Sequence, residues 1–463
     1  MTERASRPAA LVVRGGIVYT PQGPRQTDVH VVDGVITSTE PGVTARAGAK
    51  VVDATGMYVL PGAIDVHVHG RDPGFPEKED FGTLTAAAAA GGVTTVLDMP
   101  NTVPAVDSAG MLESKAALAR RKAKVDFGLW GLVRSSSTPE QLEGLAAAGA
   151  VGFKAYLGYS FSQSRKQVRH SPEADDPDLE RPPDYGTLAR LAPVIAELGL
   201  PLAVHAEDPT VLAAFRRPLD SYPDMLESRP PLAEVIAISA MAAIARETGV
   251  RIHIAHLSGA RGLKAAEDAI KGGVPLSLET TPAYLWLSDS DYQRLGNSLK
   301  MLPPVRTATD REALLDALAR SVIGIVATDH APHSDKEKAQ SFADAPPGSP
   351  GVQMLYVSCL EVAKQMGDVW LAPRWVSEHP AALAGLSESK GSIAAGYDGD
   401  LVIVDPNRST VARPAIMRSR QRHGALDGLD FGFAIGEVFL RGEPVGKSSR
   451  TRGRMVRPSG GRG

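Results

Sequence analysis

The run GAIDVHVHG, residues 62–70, decides how the rest of the chain is read. It begins apolar and β-branched, as a buried strand does, and ends with His67 and His69 at alternate positions. Side chains two apart on a strand share a face, so the two imidazoles can converge on one ion. Four later runs repeat the design, an apolar stretch followed by a polar group: VGFKAYLGYS (151–160) with Lys154, LAVHAED (202–208) with His205, IHIAHLSGA (252–260) with His256, and GIVATDHAPH (324–333) with Asp329. Each has an ordinary alternative when taken alone. A lone HxH is more often a packed or surface pair. His205 and His256 could be satisfied core histidines, and Asp329 could be a helix N-cap. Recurrence at strand ends, in order along the chain, favours a site. Imidazole suits zinc and its first-row neighbours, and six such groups can hold two divalent cations.

Working outward, strand-like segments near 63–69, 94–99, 125–130, 151–155, 202–206, 252–256, 275–279 and 323–328 alternate with helix-like ones such as YGTLARLAPVIAELG and LAEVIAISAMAAIARETG. The alternation predicts an α/β fold, a (β/α)8 TIM barrel over residues 61–384, with the polar groups pointing into the mouth at the C-terminal strand ends. A doubly wound sheet is the rival, but it would not easily gather ligands from five strands at one point. The two ends have another texture. Residues 1–60 and 385–445 alternate short apolar runs with glycine turns, which predicts a small β-sandwich-like domain formed by both termini. Residues 446–463, basic and polar, read as a disordered tail. Residues 160–185 are polar, charged and proline-rich and follow the Lys154 strand, so they are either a disordered surface insertion or a lid or specificity loop over the mouth.

Composition narrows the function. At 463 residues the chain suits a large barrel with an appendage. Its 43% hydrophobic and 22% charged residues read as globular. Fifty basic against 53 acidic residues leave a net charge of −3, which gives no global attraction to nucleic acid or to an anionic membrane. The single cysteine, Cys359, excludes an intrachain disulfide and fits a reducing cytoplasm. No signal core opens the chain, and no apolar run approaches the ~20 residues of a membrane span.

With these residues in hand, the chain resembles the cyclic amidohydrolases: dihydroorotases, allantoinases and hydantoinases. The resemblance runs from about residue 10 to 443 and is carried by PGAIDVHVHGRDPGFPEKEDF, AAAAGGVTTVLDMPNTVP, FKAYLGY, VHAED, HIAHLSGARG, LPPVR and ATDHAPHSDKEK. It implies two divalent ions, usually zinc. His67, His69, Lys154 and Asp329 would serve one, and Lys154, His205 and His256 the other. An ammonium has no lone pair, so the resemblance also implies a CO2-derived carbamate on Lys154 that bridges both ions; the ordinary alternative is a lysine paired with a nearby acid. The implied reaction opens a small cyclic amide with a metal-bridging hydroxide, Asp329 moving the proton to the leaving nitrogen. Homo-oligomers, dimers or tetramers, are common among such proteins.

The substrate clues disagree. Arg71 completes the HxHxR pattern of dihydroorotases, and Asn101 in MPNTVP and His333 in DHAPH also match. There the three positions hold a substrate carboxylate, a task suited to a guanidinium. The ordinary alternatives are an ion pair of Arg71 with Asp72, Glu77 or Asp80, and a turn role for Asn101. Tyr159, five residues after Lys154, matches instead the hydantoinase tyrosine that stabilises the oxyanion. Ala283 stands where dihydroorotases and allantoinases often carry histidine, and Leu302 where dihydroorotases usually carry asparagine. The expectation is therefore dihydroorotate-like first, with a neutral ureide as in allantoinases or hydantoinases as the alternative, and a non-catalytic structural homologue third.

Overall fold

The computed structural model describes residues 10–42, 45, 47–170, 176–445 and 452–459. Eight parallel strands follow one another in the predicted order: β1 (Ala63–Val68), β2 (Val93–Asp98), β3 (Asp126–Leu129), β4 (Phe153–Tyr156), β5 (Leu202–His205), β6 (Ile252–Ile254), β7 (Leu276–Thr280) and β8 (Ile325–Val326). β1, β2 and β3 pair as one parallel ladder. A short continuation of β3, Gly131–Val133, opens a second ladder that runs through β4, β5, β6 and β7 to β8. Every residue of β1 through β5 is buried, and helices such as Pro139–Ala148, Tyr185–Glu197 and Pro231–Thr248 connect them. That double coverage is why the strands read as continuous apolar runs. Helix starts follow local chemistry. Asp80 caps Phe81–Ala90, Thr138 and Gln141 form a capping box, and Asp184 accepts from the Thr187 N–H.

The chain ends form a separate β-rich unit. Leu11–Thr20, Gly23–Val32, Val35–Ser38, Lys50–Asp53 and Tyr58–Pro61 join Leu401–Asp405, Ala434–Leu440 and Glu443–Pro444 in one mixed sheet of eight strands. The two ends meet where Leu401–Asp405 lies antiparallel to Tyr58–Pro61. The expected sandwich takes the form of a branch. The first half of Leu11–Thr20 pairs with Lys50–Asp53 and the second half with Tyr58–Pro61, on either side of a register shift at Gly15–Gly16. Gly15 sits there at φ +70, and a Cβ on Gly16 would meet the Val59 side chain at 2.6 Å.

The tail departs from expectation. Residues 452–459 are placed, not solvated and disordered. Arg454 O accepts from Phe127 N at 2.9 Å, Val456 N donates to Phe127 O at 2.8 Å, and Ser459 N donates to Gly385 O at 2.7 Å. Val456 joins the buried cluster of Leu97, Trp130 and Val151. Charge dominated the composition, but two apolar residues, Met455 and Val456, and a run of backbone donors and acceptors found partners on and beside β3. The rest of the expected tail lies outside the described residues. In the insertion, Ser160–Ser162 pairs antiparallel with both Gln167–Arg169 and Leu179–Glu180, while residues 171–175 lie outside the described residues.

One buried ion network ties the two units together. The Lys390 ammonium lies 2.9, 2.9 and 2.6 Å from carboxylate oxygens of Asp126, Asp398 and Asp400, and Arg441 also pairs with Asp126. These three carboxylates lie close enough to share a cation, and the ammonium serves that role. Removing it leaves buried charges uncompensated. Lys390→Met should therefore cost about 3–5 kcal/mol, measured as a lower denaturant midpoint at unchanged slope.

Candidate metal centre

The ligands from the first and last strands meet directly. His67 and His69 leave β1 with their Nε2 atoms 3.4 and 2.9 Å from Asp329 Oδ1. Asp329 itself stands at φ 46, and His256 and Arg71 also lie at positive φ, 38 and 59. Non-glycine residues rarely take this conformation, and it turns each side chain back over the strand ends. Each β1 imidazole is held from behind. His67 Nδ1 is 2.5 Å from Glu279 Oε1, and His69 Nδ1 is 2.7 Å from Asn101 Oδ1. With a cation bound, donation from Nδ1 would leave the Nε2 lone pairs, which face Asp329, free to ligate it.

Lys154, His205 and His256 are the remaining candidate ligands. Lys154 is fully buried, and its Nζ has no hydrogen-bond partner among the described residues. The ordinary reading of a lysine paired with an acid therefore does not hold. Burial lowers its pKa to about 8, which raises the share of neutral amine that can react with CO2. His205 Nδ1 and His256 Nε2 face each other at 3.0 Å, and His256 Nδ1 has no partner. His205 Nε2 donates to Glu207 at 2.8 Å, and Glu207 is paired with Arg229. His67, His256 and Asp329 each bring one ligand atom within 4.8 Å of the others. Burial pushes His69, His205 and His256 below their ordinary range, so they are neutral at pH 7. Asp329 is also buried, which alone would raise its pKa, but the imidazoles of His67 and His69 hold it well below the usual carboxylate range. Neutral imidazoles, a carboxylate and a stranded amine form a donor set that fits divalent cations.

Apart from Asn101, the residues that orient this centre were not singled out in the sequence. Glu279, at the end of β7, faces His67 Nδ1, lies 2.9 Å from His253 Nε2 and accepts from the His256 backbone N–H at 3.0 Å. Burial opposes its ionisation, but His67 and His253 hold it well below its ordinary value. Its signal was legible: a carboxylate closing an apolar strand run, as Asp329 does. Asp98 accepts from Gly70 N at 2.6 Å and pairs with buried Lys115 at 2.6 Å. Asp65 accepts from Thr328 N at 3.1 Å. Both fix loops that carry ligands.

Over the ligands lies a cavity of about 420 Å³, open to solvent, whose walls include Arg71, Asn101, Tyr159 and Leu302. Two further wall residues, Tyr156 and His170, were not predicted. His333 stands behind Arg71, its Nε2 3.1 Å from the guanidinium and its Nδ1 3.3 Å from Lys78 Nζ. Among the described residues Arg71 has no carboxylate within ion-pair distance, and Asp72 pairs with Lys122 instead. Asn101 spends its carbonyl on His69. The three expected carboxylate-binding residues are thus neighbours with different partners.

Comparison with known proteins agrees with this geometry. The profile of the Amidohydrolase family matches residues 58–445. An allantoinase of Streptomyces avermitilis is 37% identical over 453 residues, covering 96% of this chain and 98% of that protein. A dihydroorotase of Methanothermobacter thermautotrophicus is 32% identical over 400 residues, 85% of each. Among solved structures, the L-hydantoinase (dihydropyrimidinase) from Arthrobacter aurescens superimposes with a TM-score of 0.88 at 26% identity, covering 96% of this chain and 99% of that one. No helix among the described residues is long and apolar enough to cross a membrane.

Glu279 gives the sharpest test of the centre's support. Glu279→Gln should weaken metal affinity by roughly 10- to 100-fold, the cost of losing a carboxylate behind a ligating histidine, measured by competition with a chromogenic chelator.

Proposed function

Because the chain belongs to the amidohydrolase family and is a metal-dependent hydrolase of cyclic amides, we propose that it opens a small ring bearing an anionic substituent, with Arg71 as the anion's partner. The single observation that carries the reading is the position of Arg71, in the wall of the ligand cavity and without an acid of its own. The scaffold is read as a (β/α)8 barrel. Trp130 N donates to Asp98 O at 3.1 Å and Gly131 N to Gly152 O at 2.9 Å, which carries one ladder into the other. Val68 bridges His330 in parallel across the remaining gap. Two zinc ions would be held by His67, His69, Lys154 as its carbamate, His205, His256 and Asp329. Bound there, they would supply Lewis acidity, making water a nucleophile near pH 7 and polarising the ring carbonyl.

The chain's own residues supply the rest. Asp329, ionised and beside the β1 histidines, accepts the proton of the attacking water at Oδ and returns it to the ring nitrogen, because an amide anion is a poor leaving group. Burial pushes the Tyr159 phenol up, so it stays O–H and can donate to the developing oxyanion. Its ring is fixed by stacking 5.5 Å from Tyr156 and by the His205 ring at 4.5 Å.

A second reading, a neutral cyclic ureide such as allantoin, is favoured by one observation. Apolar Leu302 occupies the wall, and His333 already faces Arg71. Assays of the metal-loaded enzyme on dihydroorotate, allantoin, dihydrouracil and substituted hydantoins separate the two readings.

Three substitutions follow. Lys154→Ala should lose the metal pair, falling from about two ions per chain by elemental analysis, with nearly all activity. Asp329→Asn should lower kcat by at least ~10²-fold. Arg71→Met should raise KM for a carboxylated ring by about 1.5–3 kcal/mol and leave a neutral ring unchanged. Neutral rings as preferred substrates, indifferent to Arg71→Met, would move the allantoinase-like reading to first place.

A further inference from the structure

Two buried hydrogen-bond donors in the cavity wall lack an acceptor. Among the described residues the Tyr156 hydroxyl has no partner although the residue is only 4% exposed, and the Arg71 Nε–H has none either. Stranded donors of this kind cost free energy until an acceptor arrives. Tyr156 lies two residues after Lys154 on β4, so both side chains share one face of the strand. Its ring is clamped against Tyr159, which leaves the hydroxyl little choice of direction.

The third group comes from the insertion. His170 follows Gln167–Arg169, lines the same cavity, and has its ring 4.8 Å from that of Tyr159. The insertion's base is fixed in place. Glu180 accepts from Ser135 Oγ at 2.7 Å and Ser136 N at 2.8 Å, and pairs with Arg134. Arg134 stacks over the Phe161 ring at 3.9 Å, and Ala105 N donates to Lys166 O at 2.9 Å. Phe161 and Val168 pack in one apolar cluster with Tyr156 and Tyr159. A segment held by these contacts presents its histidine at a defined place.

We propose that Tyr156 and His170 are substrate-binding residues that, with Arg71, form a three-donor cradle for acceptor oxygens on the ring substituent, a carboxylate. The cradle adds donors to Arg71 beside Asn101, whose carbonyl faces His69, and His333, which lies between Arg71 and Lys78. Specificity is then set partly by His170, on a segment outside the strand ends that would hold the metals. The inference rests on the anionic-substituent reading above and names the groups that complete it.

The test uses the metal-loaded full chain and compares Tyr156→Phe, His170→Ala and Arg71→Met on a carboxylated ring and on an uncharged one, dihydroorotate and dihydrouracil. Tyr156→Phe removes one oxygen and keeps the packed ring. It should raise KM for the carboxylated ring roughly 10-fold or more, as loss of a hydrogen bond to a charged group does, with kcat within about two-fold and bound metal unchanged. The uncharged ring should not respond. His170→Ala should act in the same direction. If Arg71→Met raises KM for the carboxylated ring alone while Tyr156→Phe and His170→Ala do nothing, the cradle is wrong and the anionic reading stands. If none of the three discriminates between the rings, both fall. A drop in kcat on both rings in Tyr156→Phe also overturns the cradle, because it would place the hydroxyl at the reacting carbonyl.

Discussion

The site depends on a single backbone contact between strands far apart in sequence. Val68 bridges His330 in parallel, and His69 N donates to His330 O at 2.7 Å. That contact sets the end of β1 beside the residues after β8 and so brings His69 Nε2 within 2.9 Å of Asp329. Without it the ligands of β1 and Asp329 would belong to separate ladders. The positive φ of Asp329 and of His256 has meaning only within this frame, because each turns a ligand toward a point that neighbouring strands have already defined.

The frame concentrates charge where water is scarce. Glu279, Glu207 and Asp329 are each ionised against the cost of burial by cations or imidazoles at hydrogen-bond distance. Lys154 has no such partner, and burial is the largest influence on it. A protein that needed only stability could replace these groups with apolar ones at little loss. Retaining an unpaired amine at the centre, with histidines held neutral around it, is costly for the free protein and useful once cations arrive. Orientation is handled one layer out, by Glu279 on His67, Asn101 on His69 and Glu207 on His205.

Much of this was legible from the sequence because strands confer strict alternation. His67 and His69 share a face by parity alone, and the apolar runs ending in Lys154, His205, His256 and Asp329 are the signature of strands covered on both sides. The order of the eight parallel strands followed. What parity could not supply was contact between different strands. Glu279 is an unremarked carboxylate in ETTPAYL until β7 is laid beside β6, where it meets His253 and the backbone of His256. Asn101 matched a motif for one reason and is placed for another, since which group its carbonyl faces depends on where β1 ends.

Both polar segments show why composition misleads at short range. Residues 160–185 and 452–459 are rich in charge, yet the described parts of each carry enough apolar surface and backbone pairing to be held. Phe161 and Val168 join the cluster beneath Tyr156 and Tyr159, and Val456 fills a gap beside Trp130 and Val151. Ordering a segment costs conformational entropy for every residue fixed, so a few buried side chains suffice only where the backbone also finds partners. Arg454 and Val456 have them on Phe127, and Lys166 has one on Ala105. Charged residues in these segments also have defined tasks: Glu180 closes on Arg134, and the backbone N–H of Arg454 meets Asp126 at 2.7 Å. A run of charge marks a solvated surface only when the scaffold offers nothing to pair with, and that is a property of the fold around the segment.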